Sequence, residues 1–148
     1  MTKSITETLL FASMAINAAF LIFIAGVFRK ILNTLDVVAF KNINELLMKY
    51  SSKSAFMIII LNLPFFIAIP YYYFFGFGNQ YFTASLILWF IAGIISKIYK
   101  LPVYKMISSL DSNDELQLNE ARNKMNNGNI FQAILYSIAV VIMFIGLD

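Results

Sequence analysis

A chain of 148 residues with 60% hydrophobic content, 13% charged residues and a mean hydropathy of +0.76 lies outside the range of soluble globular domains. Its net charge of +3 comes from basic residues that flank apolar segments, where membrane orientation and anionic headgroups explain them better than nucleic-acid binding does. Cysteine and histidine are both absent, which excludes disulfides, thiol nucleophiles, histidine-ligated haem and metal sites built on these two residues.

The first apolar segment, residues 9–28, follows a short polar N-terminus and is interrupted only by Ser13 and Asn17. Its length matches the roughly 20 residues that one helix needs to cross the hydrocarbon layer of a bilayer. A cleaved signal peptide is the alternative, because such peptides also begin basic and then become apolar. The segment is too long for the apolar core of a signal peptide, and Arg29-Lys30 closes it as a stop-transfer boundary does. We therefore predict a membrane-spanning helix.

The first hydrophilic connector, residues 29–54, carries five basic and two acidic residues. Asp36 precedes an apolar run and is expected to cap the start of a helix. Apolar side chains then recur with helical spacing, at positions 40, 43, 46, 47 and 50. This pattern predicts an amphipathic helix at the membrane face, which either packs on the bundle or binds lipid or a partner.

The 43 positions from Ser54 to Ser96 contain no charged residue. Because each crossing takes roughly 20 residues, this stretch predicts two membrane spans. We assign them to residues 55–75 and 81–96, with an extension of the second to 99 as an alternative. The turn between them is Gly76-Phe77-Gly78-Asn79-Gln80. Tyrosine and phenylalanine residues on both sides of it predict an aromatic belt at one membrane interface.

Two prolines are expected to bend the second predicted span. Pro64 has no N–H to donate to the carbonyl of Ile60, and Pro70 leaves the carbonyl of Phe66 unpaired in the same way. Inside a membrane, each freed carbonyl needs a donor from a neighbouring helix or a buried water.

The second hydrophilic connector, residues 97–128, is predicted to contain two helical pieces. Pro102 is expected to end the helix of the third span, with a short helix at 103–110 after it. The later piece is a polar helix that leads into the last span, at 129–147.

Ser112 and Glu115 have the spacing of a capping box, which predicts that the polar helix begins at Asn113. Gly128 lies where this helix meets the last span. A hinge at Gly128 is one alternative, and a helix that continues without interruption is the favoured one.

The distribution of basic residues predicts how the chain threads the membrane. Each long connector holds five Lys or Arg residues, the N-terminus holds one, and the central turn and C-terminus hold none. The positive-inside rule therefore places both connectors in the cytoplasm. We therefore expect a protein of the cell (inner) membrane, with both termini and the aromatic turn on its outer side.

The predicted spans contain no Asp, Glu, Lys or Arg, which argues against a proton-driven transporter or an ion pump. Neutral polar side chains remain, and they would line a mostly apolar ligand pocket where their helix faces converge. These candidates are Asn17, Asn62, Trp89, Asn129, Gln132 and Tyr136. The alternative is hydrogen bonding between helices, which stabilises a bundle by about 1 kcal/mol or less per contact.

No catalytic residue, metal site or cofactor is predicted. The acidic residues between the third and fourth spans do not have the alternating spacing of an EF-hand loop, and a solvated helix start explains them better. The chain also lacks a phosphate-binding glycine loop, a Ser/His/Asp set and a dinucleotide fingerprint.

Several short stretches resemble a known family. They are Phe28-Arg29-Lys30-Ile31-Leu32 with Leu35-Asp36-Val37-Val38-Ala39-Phe40, and Leu101-Pro102-Val103-Tyr104 with Ser109-Leu110-Asp111 and Asn129. Together they are similar to the anthrone-oxygenase-like family, small four-helix integral membrane proteins of largely unknown function. The resemblance implies a four-helix membrane bundle and, where members are enzymes, cofactor-independent oxygenation of a polycyclic anthrone to a quinone.

The chain departs from the pattern of that family at the start of its last span. There the family has an aromatic residue, usually Trp, before an asparagine, and an arginine three residues after it. The corresponding residues here are Gly128, Asn129 and Gln132, so Asn129 alone carries over. The chemistry would also need a base, and Tyr136 and Tyr72 are poor bases, with ordinary pKa values near 10.

We therefore expect an all-α, four-helix integral membrane bundle that acts as an accessory or partner protein, or binds a hydrophobic molecule between its helices. The alternative is an oxygenase of an aromatic or quinone-like substrate. The expected partners are the lipid bilayer, a hydrophobic small molecule or another membrane protein, and no nucleic acid. Faces with small residues, Ala15/Ala19 or Ala92/Ser96, would let copies of the chain associate or, as the alternative, let helices pack closely within one bundle.

Overall fold

The computed structural model describes residues 2–51 and 53–147, which form five helices and, within these ranges, no strand. The helices are α1 (Lys3–Thr34), α2 (Val37–Ser51), α3 (Ala55–Phe75), α4 (Gln80–Ser109) and α5 (Glu115–Ile145). Helix α1 contains one π-helical turn, at Ile24–Phe28. All except α2 are long and apolar enough to cross a membrane.

The four long helices leave most of their apolar surface outside the bundle. In the most apolar part of each helix, between 17% and 33% of the residues are buried. A soluble protein does not expose apolar surface on this scale, because contiguous apolar patches are normally covered by a partner or a membrane. The exposed outer faces are therefore compatible with a lipid environment.

Two clusters of buried apolar side chains hold the helices together. One lies between α1, α3, α4 and α5 and includes Leu10, Tyr71 and Phe82. The other lies among α1, α2, α4 and α5 and includes Phe40 and Leu118. We call the end of the bundle formed by residues 29–51, 53–54 and 97–128 the basic end. The opposite end, where α3 turns into α4 at residues 76–80, is the aromatic end.

Helix α4 continues through Pro102, so the prediction that this proline ends the helix is wrong. A proline within a helix costs roughly 3 kcal/mol, since it removes a hydrogen bond and crowds the preceding turn. The next turns of α4 offset that cost because Val103 and Ile107 are buried, in one apolar cluster with Leu118 and Ala121 of α5. The ring of Pro102 itself is exposed.

Helix α5 begins at Glu115, and no side-chain hydrogen bond caps it, so the predicted capping box at Ser112 is wrong. A local turn occupies this stretch instead. The carboxylate of Asp111 accepts the N–H of Asn113 at 2.9 Å, and its carbonyl accepts the N–H of Asp114 at 3.1 Å. An aspartate that bonds its own backbone two residues on is a frequent competitor of helix starts. Beyond Glu115 the helix is uninterrupted at Gly128, as the favoured alternative predicted.

The junction of α1 and α2 is fixed against α5 by Arg122. The carboxylate of Asp36 accepts the N–H of Ala39 at 2.7 Å, the bond predicted for a helix cap. Arg122 donates to the carbonyls of Leu35 and Asp36, at 3.0 and 3.2 Å, and its guanidinium lies 4.4 Å from the ring centre of Phe40. These contacts bring the first half of α2 onto the bundle.

The second half of α2 is covered much less. Phe40 and Asn44 are buried, whereas Leu46, Leu47 and Tyr50 are exposed. The helix is therefore amphipathic in sequence, but only part of its apolar stripe packs on this chain.

Candidate functional site

A groove of about 400 Å³ opens between α4 and α5 towards the basic end. It is lined by Ala92, Ile95, Ser96, Tyr99 and Lys100 of α4 and by Asn127, Gly128, Phe131 and Gln132 of α5. Small side chains on both helices provide the space, and the walls are mainly apolar. The volume falls within the roughly 300–1,000 Å³ that is usual for small-molecule sites.

Lys100 gives this groove a positive charge. Its Nζ donates to Oδ1 of Asn129 at 2.7 Å and to Oε1 of Gln132 at 2.5 Å. Both acceptors are neutral amides, and among the described residues no carboxylate lies within ion-pairing distance of Lys100. An ammonium group has three N–H donors, so one is left for a further acceptor. The charge is oriented by its neighbours but not neutralised by them.

Gly128 allows the stem of Lys100 to lie against α5. A Cβ atom at this position would lie 3.0 Å from Cγ of Lys100 and 3.0 Å from Cδ1 of Tyr99. Real Cβ atoms rarely have contacts this close, so a larger residue would displace both side chains. The glycine thus helps to set the floor of the groove.

Four of the six predicted site residues lie in or beside this region. Gln132 lines the groove, and Asn129 is joined to it through Lys100. Tyr136 follows one turn along α5, beside the side chain of Gln132, and its ring centre lies 6.0 Å from that of Trp89. Trp89 and Tyr136 are buried, and Nε1 of Trp89 has no hydrogen-bond partner within the described part of the chain.

Asn17 makes a contact between helices instead. Its Nδ2 donates to the carbonyl of Ile60 at 3.1 Å and to that of Ser13 at 3.1 Å. The Ile60 carbonyl is the one that Pro64 leaves free, so Asn17 supplies the donor that Pro64 removes from α3. This fully buried side chain matches the alternative of interhelical hydrogen bonding.

Asn62 is not brought to the groove. Its side chain is exposed and donates to the carbonyl of Ile58, in its own helix, at 2.7 Å. The side chain therefore uses its amide N–H within its own helix, as polar side chains that face away from a bundle commonly do.

Two charged residues that sequence reasoning assigned to the flanks belong to the packed bundle. Lys100 belongs to the predicted second connector, but α4 extends past that boundary and Lys100 lines the groove. Glu7 lies in the short polar segment before the first predicted span, but it is buried in α1, accepts the Tyr71 hydroxyl at 2.7 Å and lies 3.7 Å from Lys3. The helical spacing of Asn129 and Gln132 places both amides on one face of α5, but it does not identify Lys100 as the cation opposite them.

The groove can bind a molecule that is largely apolar and carries a hydrogen-bond acceptor or a negative charge. Residues 2–51 and 53–147 contain no group of three or more His, Cys, Asp or Glu side chains that could hold a metal ion. Comparison with protein-family models, curated proteins and solved structures finds no match for this chain.

Proposed function

We propose that this chain is a small integral membrane protein that binds a hydrophobic molecule with an electron-rich polar group in the groove between α4 and α5. The observation that carries the proposal is the combination of an apolar cleft of about 400 Å³ with the unneutralised ammonium of Lys100. Apolar walls with a few oriented polar groups are the usual composition of a small-molecule site. As a small accessory protein, it would hold this molecule for a larger membrane partner.

We further propose that the protein resides in the inner membrane with both connectors in the cytoplasm and the aromatic end outside. The ten basic residues of the connectors support this orientation. The groove would then open near the cytoplasmic interface. The exposed Leu46, Leu47 and Tyr50 of α2 would lie in the headgroup region of the same leaflet, as expected for an interfacial amphipathic helix.

Fluorescence of Trp89, the single tryptophan of the chain, tests binding in the groove. Trp89 is three residues before Ala92, which lines the groove. A short-chain alkyl naphthoquinone, added to the full chain in detergent micelles, is expected to quench this fluorescence saturably. Quenching that rises linearly without saturation would show only partition of the quinone into the micelle and would contradict the proposal.

Two variants of α4 separate the groove from the rest of the surface. Ser96→Phe adds a ring inside the groove, and it is expected to abolish saturable quenching. Ile87→Phe adds a comparable side chain to a position that is 55% exposed and outside the groove, so quenching should be unchanged. Equal behaviour of the two variants would place the quinone elsewhere.

Oxygenation of an anthrone-type substrate is a second candidate, which the resemblance of the sequence suggests. Lys100 favours it, because a lysine amine that has lost its proton is a stronger base than the tyrosines considered from sequence. Purified protein incubated with an anthrone and O₂ would form the quinone and water. Turnover should then be lost in Lys100→Met and reduced in Asn129→Ala and Tyr136→Phe. Equal quinone formation with and without protein would eliminate this candidate.

A further inference from the structure

We infer that the occupant of the groove is an anionic phospholipid, with its phosphate at Lys100 and one acyl chain between α4 and α5. This inference rests on the proposed function, since it specifies the molecule that the same groove binds. It concerns the lipid of the surrounding leaflet and no soluble anion.

The charge of Lys100 indicates that the polar part of the ligand is anionic. Asn129 and Gln132 each accept one of its three N–H donors, and neither carries a charge. A partly buried cation that lacks a carboxylate partner is completed most favourably by an anionic oxygen, because charge-assisted hydrogen bonds are stronger than neutral ones. A phosphodiester offers such oxygens, and its charge matches that of the ammonium.

The apolar part follows from the direction of the groove. Its lining extends along α4 from Lys100 back to Ala92, a distance of roughly 12 Å at 1.5 Å per residue. The side chains of Ile95 and Phe131 lie along this path, which runs from the basic end towards the middle of the bundle. A phospholipid of the leaflet at the basic end has the same arrangement, with the phosphate at the interface and the chains towards the bilayer centre.

The surroundings of the groove favour an anionic lipid over a zwitterionic one. The two connectors at this end contain ten Lys or Arg residues and six Asp or Glu residues, so their net charge is positive. Basic pockets between membrane helices are suited to acidic headgroups. Phosphatidylcholine carries a cationic group of its own, which Lys100 would repel.

Native mass spectrometry of the full chain in detergent micelles tests the inference. Wild-type protein is titrated with phosphatidylglycerol and, separately, with phosphatidylcholine that has the same acyl chains. We expect one phosphatidylglycerol per chain, bound about tenfold more tightly than phosphatidylcholine. Millimolar inorganic phosphate should not displace it, since the acyl chain contributes to binding. Displacement by phosphate would overturn the assignment to a lipid.

Two charge variants of α4 provide the matched comparison. Lys100→Met should remove the preference for phosphatidylglycerol, so that both lipids bind with equal affinity. Lys97→Met removes the same charge from an exposed position outside the groove, and the preference should persist. Retention of the full preference in Lys100→Met, or its loss in both variants, would overturn the inference. Far-UV circular dichroism of each variant establishes that the helices are intact.

Failure of this inference is distinguishable from failure of the proposed function. Saturable quenching of Trp89 by the naphthoquinone, together with no preference between the two lipids, would overturn the lipid assignment and leave the groove as a hydrophobic-ligand site. Ser96→Phe, which fills the groove, should lower phosphatidylglycerol affinity at least as much as Lys100→Met. Undiminished binding in Ser96→Phe would show that the lipid lies elsewhere and would overturn the inference.

Discussion

Asn17 replaces, from another helix, the hydrogen bond that Pro64 removes from α3. Substitution Asn17→Leu should therefore leave the Ile60 carbonyl without a donor and lower the free energy of unfolding by about 1 kcal/mol, the usual size of a hydrogen bond between membrane helices. The measurement is an SDS titration of the protein in mixed micelles, followed by circular dichroism. Asn62→Leu is the control, because Asn62 is exposed and bonds only its own helix. Equal losses in both variants would contradict this role of Asn17.

For a single residue, the sequence predicts that the Ile60 carbonyl needs a hydrogen-bond donor, but it does not predict which residue provides it. The free carbonyl of Ile60 follows from the covalent structure of Pro64, which is local. The donor depends on which helix packs against α3, and nothing local to α3 specifies it. Asn17 is for this reason recognisable as an interhelical contact only once α1 and α3 are seen side by side.

At the scale of an element, Pro64 of α3 and the contact of α3 with α1 should be coupled. Pro64→Ala gives α3 an N–H that can reach the Ile60 carbonyl, so the Asn17 donor becomes redundant. We expect Asn17→Leu to cost at least twofold less free energy of unfolding in the Pro64→Ala background than in the wild type. The four proteins of this double-mutant cycle are compared by the same SDS titration. Strict additivity would show that the two residues act independently.

Gly146, just after the end of α5, lies so close to the start of α4 that a side chain at this position should destabilise the bundle. An added Cβ would lie 2.6 Å from Cβ of Tyr81, an atom held by the backbone, and would crowd Asn79, whose Nδ2 donates to the Gly146 carbonyl at 2.9 Å. Gly146→Ala should therefore lower stability by about 1–3 kcal/mol, as overpacking does.

Gly93→Ala is the matched control for that prediction. The nearest atom to an added Cβ there is the Tyr136 hydroxyl, at the ordinary contact distance of 3.5 Å. Alanine in a helix interior is favoured over glycine by roughly 0.5–1 kcal/mol, so this variant should be as stable as the wild type or more stable. Thermal unfolding in one detergent compares the two variants, and equal melting temperatures would contradict the difference in packing.

The apolar periodicity and length of the segments predict the long helices. They do not predict where α4 ends or where α5 begins. Pro102 lowers the local helix propensity, but the buried Val103 and Ile107 give α4 a reason to continue. Ser112 has the residue type and spacing of a cap, but Asp111 forms a local turn instead. In both places, a packing or turn interaction outweighs a propensity that is worth only a few kcal/mol.

At the scale of the whole molecule, the positions of the basic residues predict where the apolar segments end, but they do not predict the groove. A lysine near an apolar segment predicts the end of a membrane span, because basic residues are enriched in the loops that flank such spans. Lys100 is such a residue, but α4 extends past it and turns it towards α5, where Asn129 and Gln132 accept its hydrogen bonds. Gln132 and Asn129 could be predicted as polar candidates, whereas the cation that joins them could not.

The groove is accessible to a lipid of the cytoplasmic leaflet only if the chain crosses the membrane four times with the basic end in the cytoplasm. Accessibility of introduced cysteines measures this directly, since the chain has no cysteine of its own. Gly78→Cys, in the turn at the aromatic end, should react with a membrane-impermeant maleimide in intact spheroplasts. Asn113→Cys, between α4 and α5, should react only after the membrane is opened. Labelling of Asn113→Cys but not Gly78→Cys in intact spheroplasts would contradict the proposed orientation, and labelling of both would contradict the membrane crossing of α4.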